Sequence, residues 1–295
     1  MLTALCRRLS KVLAKPGSGF AAAAAGALGV ASPFFRTAAE LRDACRKGEY
    51  RGPTAGQAPG HAQANLVILP REHARSFREF CEGNAAPCPL LEVTEAGVYE
   101  ATRLAPGSDV RRDLPKYRIW QNGDLLEERD DVADLWSKEM QAFLIGCSFT
   151  WEDLLAEVGL APRHIEEGTN VPMFDTSIEL RSAGPFAGHM VVSMRPYAPE
   201  SVQAVSSLTA AFPAAHGAPV HVGDPEAIGV MDCARPDYGD AVQVRPGEVP
   251  VFWACGVTPA NALRRARLPL AITHAPGHMF VADATTEDLR NWQVP

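Results

Sequence analysis

ANLVILP, residues 64–70, sets four large apolar side chains, Leu66 to Leu69, in a row between the Gly/Pro loop GPTAGQAPG (52–60) and a closing proline. A short apolar block bounded by turn residues fits a buried strand. Working outward, TAAELRDACRKG (37–48) opens with the capping-box spacing of Thr37 and Glu40 and stops at Gly48, which predicts a helix. Residues 71–82 read as a second helix ending near Gly83, and 87–124 as short strands and loops rich in turn residues. DVADLWSKEMQAFLIG (131–146) has helical periodicity up to Gly146. Thr150 with Asp153 then has the spacing of a cap for a further helix, TWEDLLAEVG (150–159).

Further on, HMVVSMRP, APVHVG, VPVFWACG and LPLAITH are short β-type runs, with helical candidates at 199–211 and 259–267 between some of them. Strands mixed with helices along the chain indicate an α/β or α+β class.

The 295 residues carry a net charge of -7, and no basic stripe is present to neutralise phosphates, which argues against a nucleic-acid partner. No run of about 18 strongly apolar residues fits a membrane span. The seven cysteines form no CxxC pairs and read as free thiols of a reducing compartment. Residues 1–36 differ from the rest: Arg7, Arg8, Lys11, Lys15 and Arg36 accompany leucines near one helical face, and no acid precedes Glu40. That pattern is expected of a transit peptide, directed to the mitochondrial matrix ahead of a plastid; the plain alternatives are a disordered tail or a misassigned start, with a cytoplasmic location.

Dinucleotide, P-loop, zincin, nucleophile-elbow and paired-cysteine zinc motifs are all absent. Chemistry must come from looser constellations. In HGAPVHVGDP (216–225), His221 sits on a short strand and Asp224 in the Gly-Asp-Pro turn after it. Three readings stand: an acid/base pair, part of a divalent-metal site, or a strand and turn with only local bonds. The acid/base reading expects His221→Ala to lower turnover severely. ITHAPGHM places His274 and His278 after another apolar strand, and FWACGVTP places Cys255 and Thr258 after a third. FLIGCSF puts Cys147 and Ser148 before a helix N-terminus, either an anion seat or an ordinary cap. Arg195 in SMRP ends an apolar strand and needs a partner, either a substrate carboxylate held in a bidentate fork or a structural acid such as Asp224 or Asp240. PDYGD (236–240) is a turn that presents Asp237 and Asp240.

In order, TAAELR, GPTAGQAPGHAQANLVILP, DLPKYRIW, FLIGCSFTWE, NVPMF, VVSMRP, HGAPVHVGDPEAIGV, PDYGD, EVPVFWACGVTP and ITHAPGHM resemble the D-glutamate cyclase family, from about Thr37 to Asp283. Bacterial members begin near TAAELR, so residues 1–36 read as an added extension and 37–295 as the family domain. The resemblance implies a two-lobed α/β fold, a three-layer α/β/α sandwich with a smaller two-layer α/β lobe at about 150–240. It also implies a lyase that removes water, which in the animal enzyme cyclises D-glutamate to 5-oxo-D-proline. The animal mitochondrial enzyme has a further C-terminal domain that does not follow here.

Cyclisation sets three tasks. An α-carboxylate must be held, protons must pass from nitrogen to the leaving oxygen, and the tetrahedral oxyanion must be met by donors. Candidates for proton transfer are His221, Asp224 and Asp240; candidates for substrate binding are Arg195, Ser148, Cys147, Asn170 and Thr258. The expected partner is a small amino or carboxylic acid, with no membrane and no nucleic acid. No cofactor is implied, and a divalent metal stays open. The rivals are a non-catalytic binder of small carboxylates and a metal-assisted hydrolase built on His221, Asp224 and His274.

Overall fold

A computed structural model of the chain describes residues 34–293. The transit-peptide reading falls almost wholly outside them. Among the described residues no helix is long and apolar enough to cross a membrane.

Strand β1 (His61–Pro70) is the hub of a seven-stranded antiparallel sheet. One edge pairs from Ala64 to Pro70 with β5 (Met140–Gly146), beyond which lies β2 (Leu90–Val93). The other edge is shared by two strands end to end. β10 (Ala271–His274) pairs with Val67 and Ile68, and β11 (Phe280–Thr285) pairs with residues His61 to Ala64. Beyond β10 come β3 (Tyr117–Gln121) and β4 (Asp124–Arg129).

The unbroken apolar run follows from burial on both faces. Ala62, Ala64, Leu66 and Ile68 enter one core cluster, while Val67 and Leu69 enter another with Phe77, Phe80 and Phe143. Alternate residues of a strand point to opposite faces, so only a strand covered on both sides can be apolar throughout. Each fully buried Leu or Ile here contributes roughly 1.5–3 kcal/mol.

Helix α1 (Ala38–Arg46) carries the capping box of Thr37 and Glu40 and lies against β11. Helix α2 (Arg71–Gly83) begins directly after Pro70 and buries Phe77 and Phe80 beneath the sheet. Two expectations are corrected. DVADLWSKEMQAFLIG is not a helix: Ala133–Leu135 is a single 3₁₀ turn and Met140–Gly146 is β5, held between β1 and β2. A seven-residue block buried on nearly every position has no alternation to separate it from a helix. The next helix, α3 (Phe149–Glu157), starts from Ser148, and Thr150 does not cap it. Its hydroxyl accepts instead from the Gln63 N–H of β1.

A four-stranded antiparallel sheet follows, in the order β6 (Met173–Glu179), β7 (His189–Tyr197), β9 (Val249–Ala254), β8 (His221–Val222). Short α4 (Arg163–Glu167), α5 (Pro199–Ala210) and α6 (Val257–Ala266) complete the set. Val192, Met194 and Phe252 fill a cluster on one face of this sheet; Tyr197, Val251 and Trp253 pack with Trp151 and Leu155 of α3 on the other. The chain is thus of the mixed α/β class, with both sheets antiparallel.

Candidate functional site

Five of the family-like segments meet where β5 and β10 end. Both run antiparallel to β1, so their carboxyl ends lie together beside Ala64 and Asn65. Asn65 is the joint: its Nδ2 donates to the Gly146 carbonyl at 2.7 Å. A side chain at Gly256, the first residue before α6, would run into the Asn65 carboxamide, and one at Gly146 would strike the Ala214 carbonyl. Both glycines are therefore required by close approach. Cys147, Val171, Met173, Val257 and Met279 close the region as one apolar cluster.

Between β10 and β11 this edge of β1 is interrupted by APGHM (275–279), so Leu66, paired with Leu144 of β5 on the other edge, has no strand partner here among the described residues. His274 fills the break. Its Nδ1 lies 3.2 Å from the Leu66 nitrogen and 3.3 Å from the Leu66 carbonyl oxygen, so it accepts from the one in one tautomer and donates to the other in the second. Burial lowers the His274 pKa to about 4, which leaves a neutral imidazole at physiological pH.

The ring lines a cavity of about 70 Å³ together with Arg118, Trp120, Tyr238, Asn261 and Arg264. Arg118 pairs with Glu128 at 2.9 Å on its outer side. Arg264 is exposed, has Trp120 as its ring neighbour at 6.0 Å, and makes no ion pair among the described residues. Trp120 is fixed by its Nε1–H, which donates to Thr273 Oγ1 at 2.9 Å. Asn170 and Asp240 form a clamp beside the cavity. The Asn170 N–H donates to the Asp240 carboxylate at 2.9 Å, and the Asp240 N–H returns to the Asn170 carbonyl at 3.2 Å. The Asn170 side chain lies against Gly277, next to the cavity-lining Pro276.

Arg195 lies elsewhere, sealed under α3. It is 0% exposed and sandwiched by Trp151 at 4.8 Å and Trp253 at 5.4 Å. Its nitrogens donate to Glu152 (3.1 and 2.5 Å), Ser148 Oγ (3.0 Å) and Ser193 Oγ (3.0 Å). Glu152 also faces His164 Nε2 at 3.3 Å. Burial pushes the Glu152 carboxyl up, but attraction and hydrogen bonds to His164 and Arg195 outweigh it and hold the pKa at about 2. The sequence reading offered Arg195 a substrate carboxylate, Asp224 or Asp240; its partner is Glu152. A carboxylate on a helix face 43 residues away leaves no local signal of that pairing.

The other candidates divide in the same way. Ser148 spends its hydroxyl on Arg195. Thr258 is buried, and its Oγ1 accepts from the Val191 N–H at 2.9 Å, tying α6 to β7. Cys147 and Cys255 share the apolar cluster, and burial raises both thiols, Cys255 to about 11, away from thiolate character. His221 stands on the edge strand opposite Phe252, whose side chain takes the face away from Arg195. Its Nε2 meets the Asp224 backbone carbonyl at 2.6 Å, while the exposed Asp224 carboxylate accepts from the Glu226 N–H and caps its own turn. These bonds are those of the strand-and-turn reading. His216 is buried, its Nδ1 donates to the Ala86 carbonyl at 2.8 Å, and burial lowers its pKa to about 4. Among the described residues no three His, Cys, Asp or Glu side chains are grouped to hold a metal, so His221, Asp224 and His274 do not assemble as one ligand set.

Arg118, Tyr238, Asn261 and Arg264 were not singled out by the sequence. DLPKYRIW, PDYGD and the helical candidate at 259–267 contained them without marking them as site residues.

Residues 141–283 match the family model described as D-glutamate cyclase. A protein of Rubrobacter xylanophilus named “Putative hydro-lyase” is 57% identical over 246 residues, covering 83% of this chain and 95% of the relative. A relative from Geobacillus kaustophilus with the same description is 52% identical over 250 residues, covering 85% and 95%. Among solved structures, a nitrogen repressor-like protein from Methanococcus jannaschii aligns with a TM-score of 0.33 and 9% identity, over 80% of this chain and 91% of that one. That likeness is too slight to bear on fold or function.

Proposed function

The chain belongs to the D-glutamate cyclase family, whose relatives are named as hydro-lyases, and from that premise we infer that it dehydrates a small amino acid bearing two carboxylates, D-glutamate closing to 5-oxo-D-proline, in the cavity between Arg264 and His274. The observation that carries this reading is Arg264: an exposed guanidinium that makes no ion pair among the described residues and lines a cavity of about 70 Å³. A carboxylate is the ligand that such a fork binds best. Arg118, paired with Glu128, lines the same cavity.

Holding the α-carboxylate there lets the substrate chain fold back so that its amine approaches its own γ-carboxyl, which converts positioning into rate. Neutral His274 lines the cavity, and in the tautomer that accepts from the Leu66 N–H its Nε2–H is a donor for the oxyanion that forms as nitrogen attacks. The Asn170–Asp240 clamp holds the PDYGD loop against the cavity. Arg195 and Glu152 support the reading from a distance, by locking α3 and with it the end of β5.

Incubating the purified chain with D-glutamate, L-glutamate and 5-oxo-D-proline, followed by chiral chromatography, tests the substrate. Conversion of the D-isomer supports it. Absence of product from all three removes D-glutamate, and saturable binding without product would favour the non-catalytic binder. The basic, acid-free N-terminus supports a mitochondrial-matrix location within the same reading. Diffuse cytoplasmic fluorescence from residues 1–36 fused to a reporter would remove that part.

A further inference from the structure

Tyr238 enters the cavity from the PDYGD loop, and its hydroxyl donates to Asn261 Oδ1 at 3.0 Å. Asn261 Nδ2 in turn donates to Asp175 Oδ1 at 2.9 Å. The carboxylate can only accept, so it dictates which end of the Asn261 amide faces Tyr238. Three segments supply the chain of bonds: the loop, the exposed side of α6 and the start of β6. The loop is itself pinned. Backbone bonds run both ways between Tyr238 and Met173, and the Asp175 N–H donates to the Asp237 carboxylate at 2.9 Å. A phenol held in this way lends its proton to Asn261 and keeps its oxygen lone pairs for the cavity.

We propose that Tyr238 is the proton-relay group of the dehydration, with Asn261 and Asp175 as positioning residues that aim it; this rests on the cavity being the cyclisation site. Closing the ring forms the bond from nitrogen to the γ-carboxyl carbon and breaks one carbon–oxygen bond of that carboxylate. The ammonium nitrogen gives up two protons and the departing oxygen takes two, so water leaves and the net charge of the organic product equals that of the substrate. A group that gives a proton to oxygen as it receives one from nitrogen, twice over, completes the balance with no other reactant. Tyr238 does this by turning its O–H from Asn261 to the departing oxygen as its lone pair takes the proton from nitrogen, and it ends each transfer as it began. Burial raises its hydroxyl above the usual phenol range, so it works as a neutral O–H.

The test uses the full chain with D-glutamate as the probe. Tyr238→Phe, which removes one oxygen, is expected to lower kcat about 10²-fold while KM stays within about twofold, as for a lost acid/base group. Its solvent deuterium isotope effect should differ from that of the parent. Asp175→Ala should lower kcat about tenfold, and Asp175→Asn, which keeps an acceptor for Asn261, should restore most of it. Melting curves matching the parent separate these losses from unfolding. Parent-like kcat in Tyr238→Phe, alongside a raised KM in Arg264→Ala, overturns the relay and leaves the cavity reading in place. Unchanged kinetics in both variants, or no turnover by the parent protein, overturns the two together.

Discussion

Arg195 and Arg264 present the same guanidinium in opposite surroundings. Arg195 is fully buried between two tryptophans, with its donors committed to Glu152, Ser148 and Ser193. Arg264 stands exposed on α6 beside a cavity, with no ion pair among the described residues. A buried charge must be satisfied by its own fold, because leaving it unpaired there costs several kcal/mol. An exposed one can stay open for a ligand. The sequence marked Arg195 because an arginine in an apolar strand is conspicuous. That same conspicuousness is the sign of a structural pairing, while the open arginine looked ordinary on a helix.

The contrast breaks most readily at Glu152. Glu152→Ala leaves Arg195 buried without its carboxylate and should cost about 3–5 kcal/mol of stability. A loss below about 1 kcal/mol in denaturant melts would mean that the cluster does not carry the junction.

Acid should act on the buried groups and spare the open arginine. His216 and His274 have folded pKa values lowered by burial to about 4, against roughly 6.5 in the unfolded chain. Below roughly 6.5 the unfolded chain takes up protons first, so stability falls as pH drops towards about 4. Glu152, held at about 2 when folded, adds stability that is present above its unfolded value of roughly 4.3 and lost as pH falls through about 2. Urea midpoints measured from pH 7 downward should therefore decline in two stages. A midpoint unchanged between pH 7 and pH 4 would contradict the burial of the histidines.

At the open arginine the effect should appear in binding alone. Arg264→Ala is expected to raise KM for D-glutamate about 10- to 100-fold, as for a lost charge-assisted hydrogen bond, with stability within about 0.5 kcal/mol of the parent. The smallest effect should be at the sheet edge. His221→Ala removes a ring that, among the described residues, meets its own loop's carbonyl and the Phe252 ring, so turnover should stay within about twofold. A severe loss there would return His221 and Asp224 to the acid/base role.

Much of the fold was legible locally. The α1 capping box, the α2 start after Pro70 and the buried run of β1 all depend on neighbouring residues. β5 was not legible, because seven residues buried on nearly every position lack the alternation that would separate a strand from the helix expected of the longer segment. Around the cavity, ITHAPGHM and PDYGD supply lining residues, and Asn170, Asp240 and His274 lie in or beside it. Arg118, Tyr238, Asn261 and Arg264 come from three segments up to 146 positions apart and share no spacing that would join them.

By itself the sequence determined the order of family-like segments, the mixed α/β class and most helix ends, since these follow from caps, turns and short-range patterns. Only the tertiary structure decided which arginine is sealed and which is open. It also decided which carboxylate neutralises Arg195, and that His274 fills a break in the edge of β1. Those outcomes depend on which face a side chain takes and what packs over it, and the burial that sets their chemistry exists only once both sheets and their helices have come together.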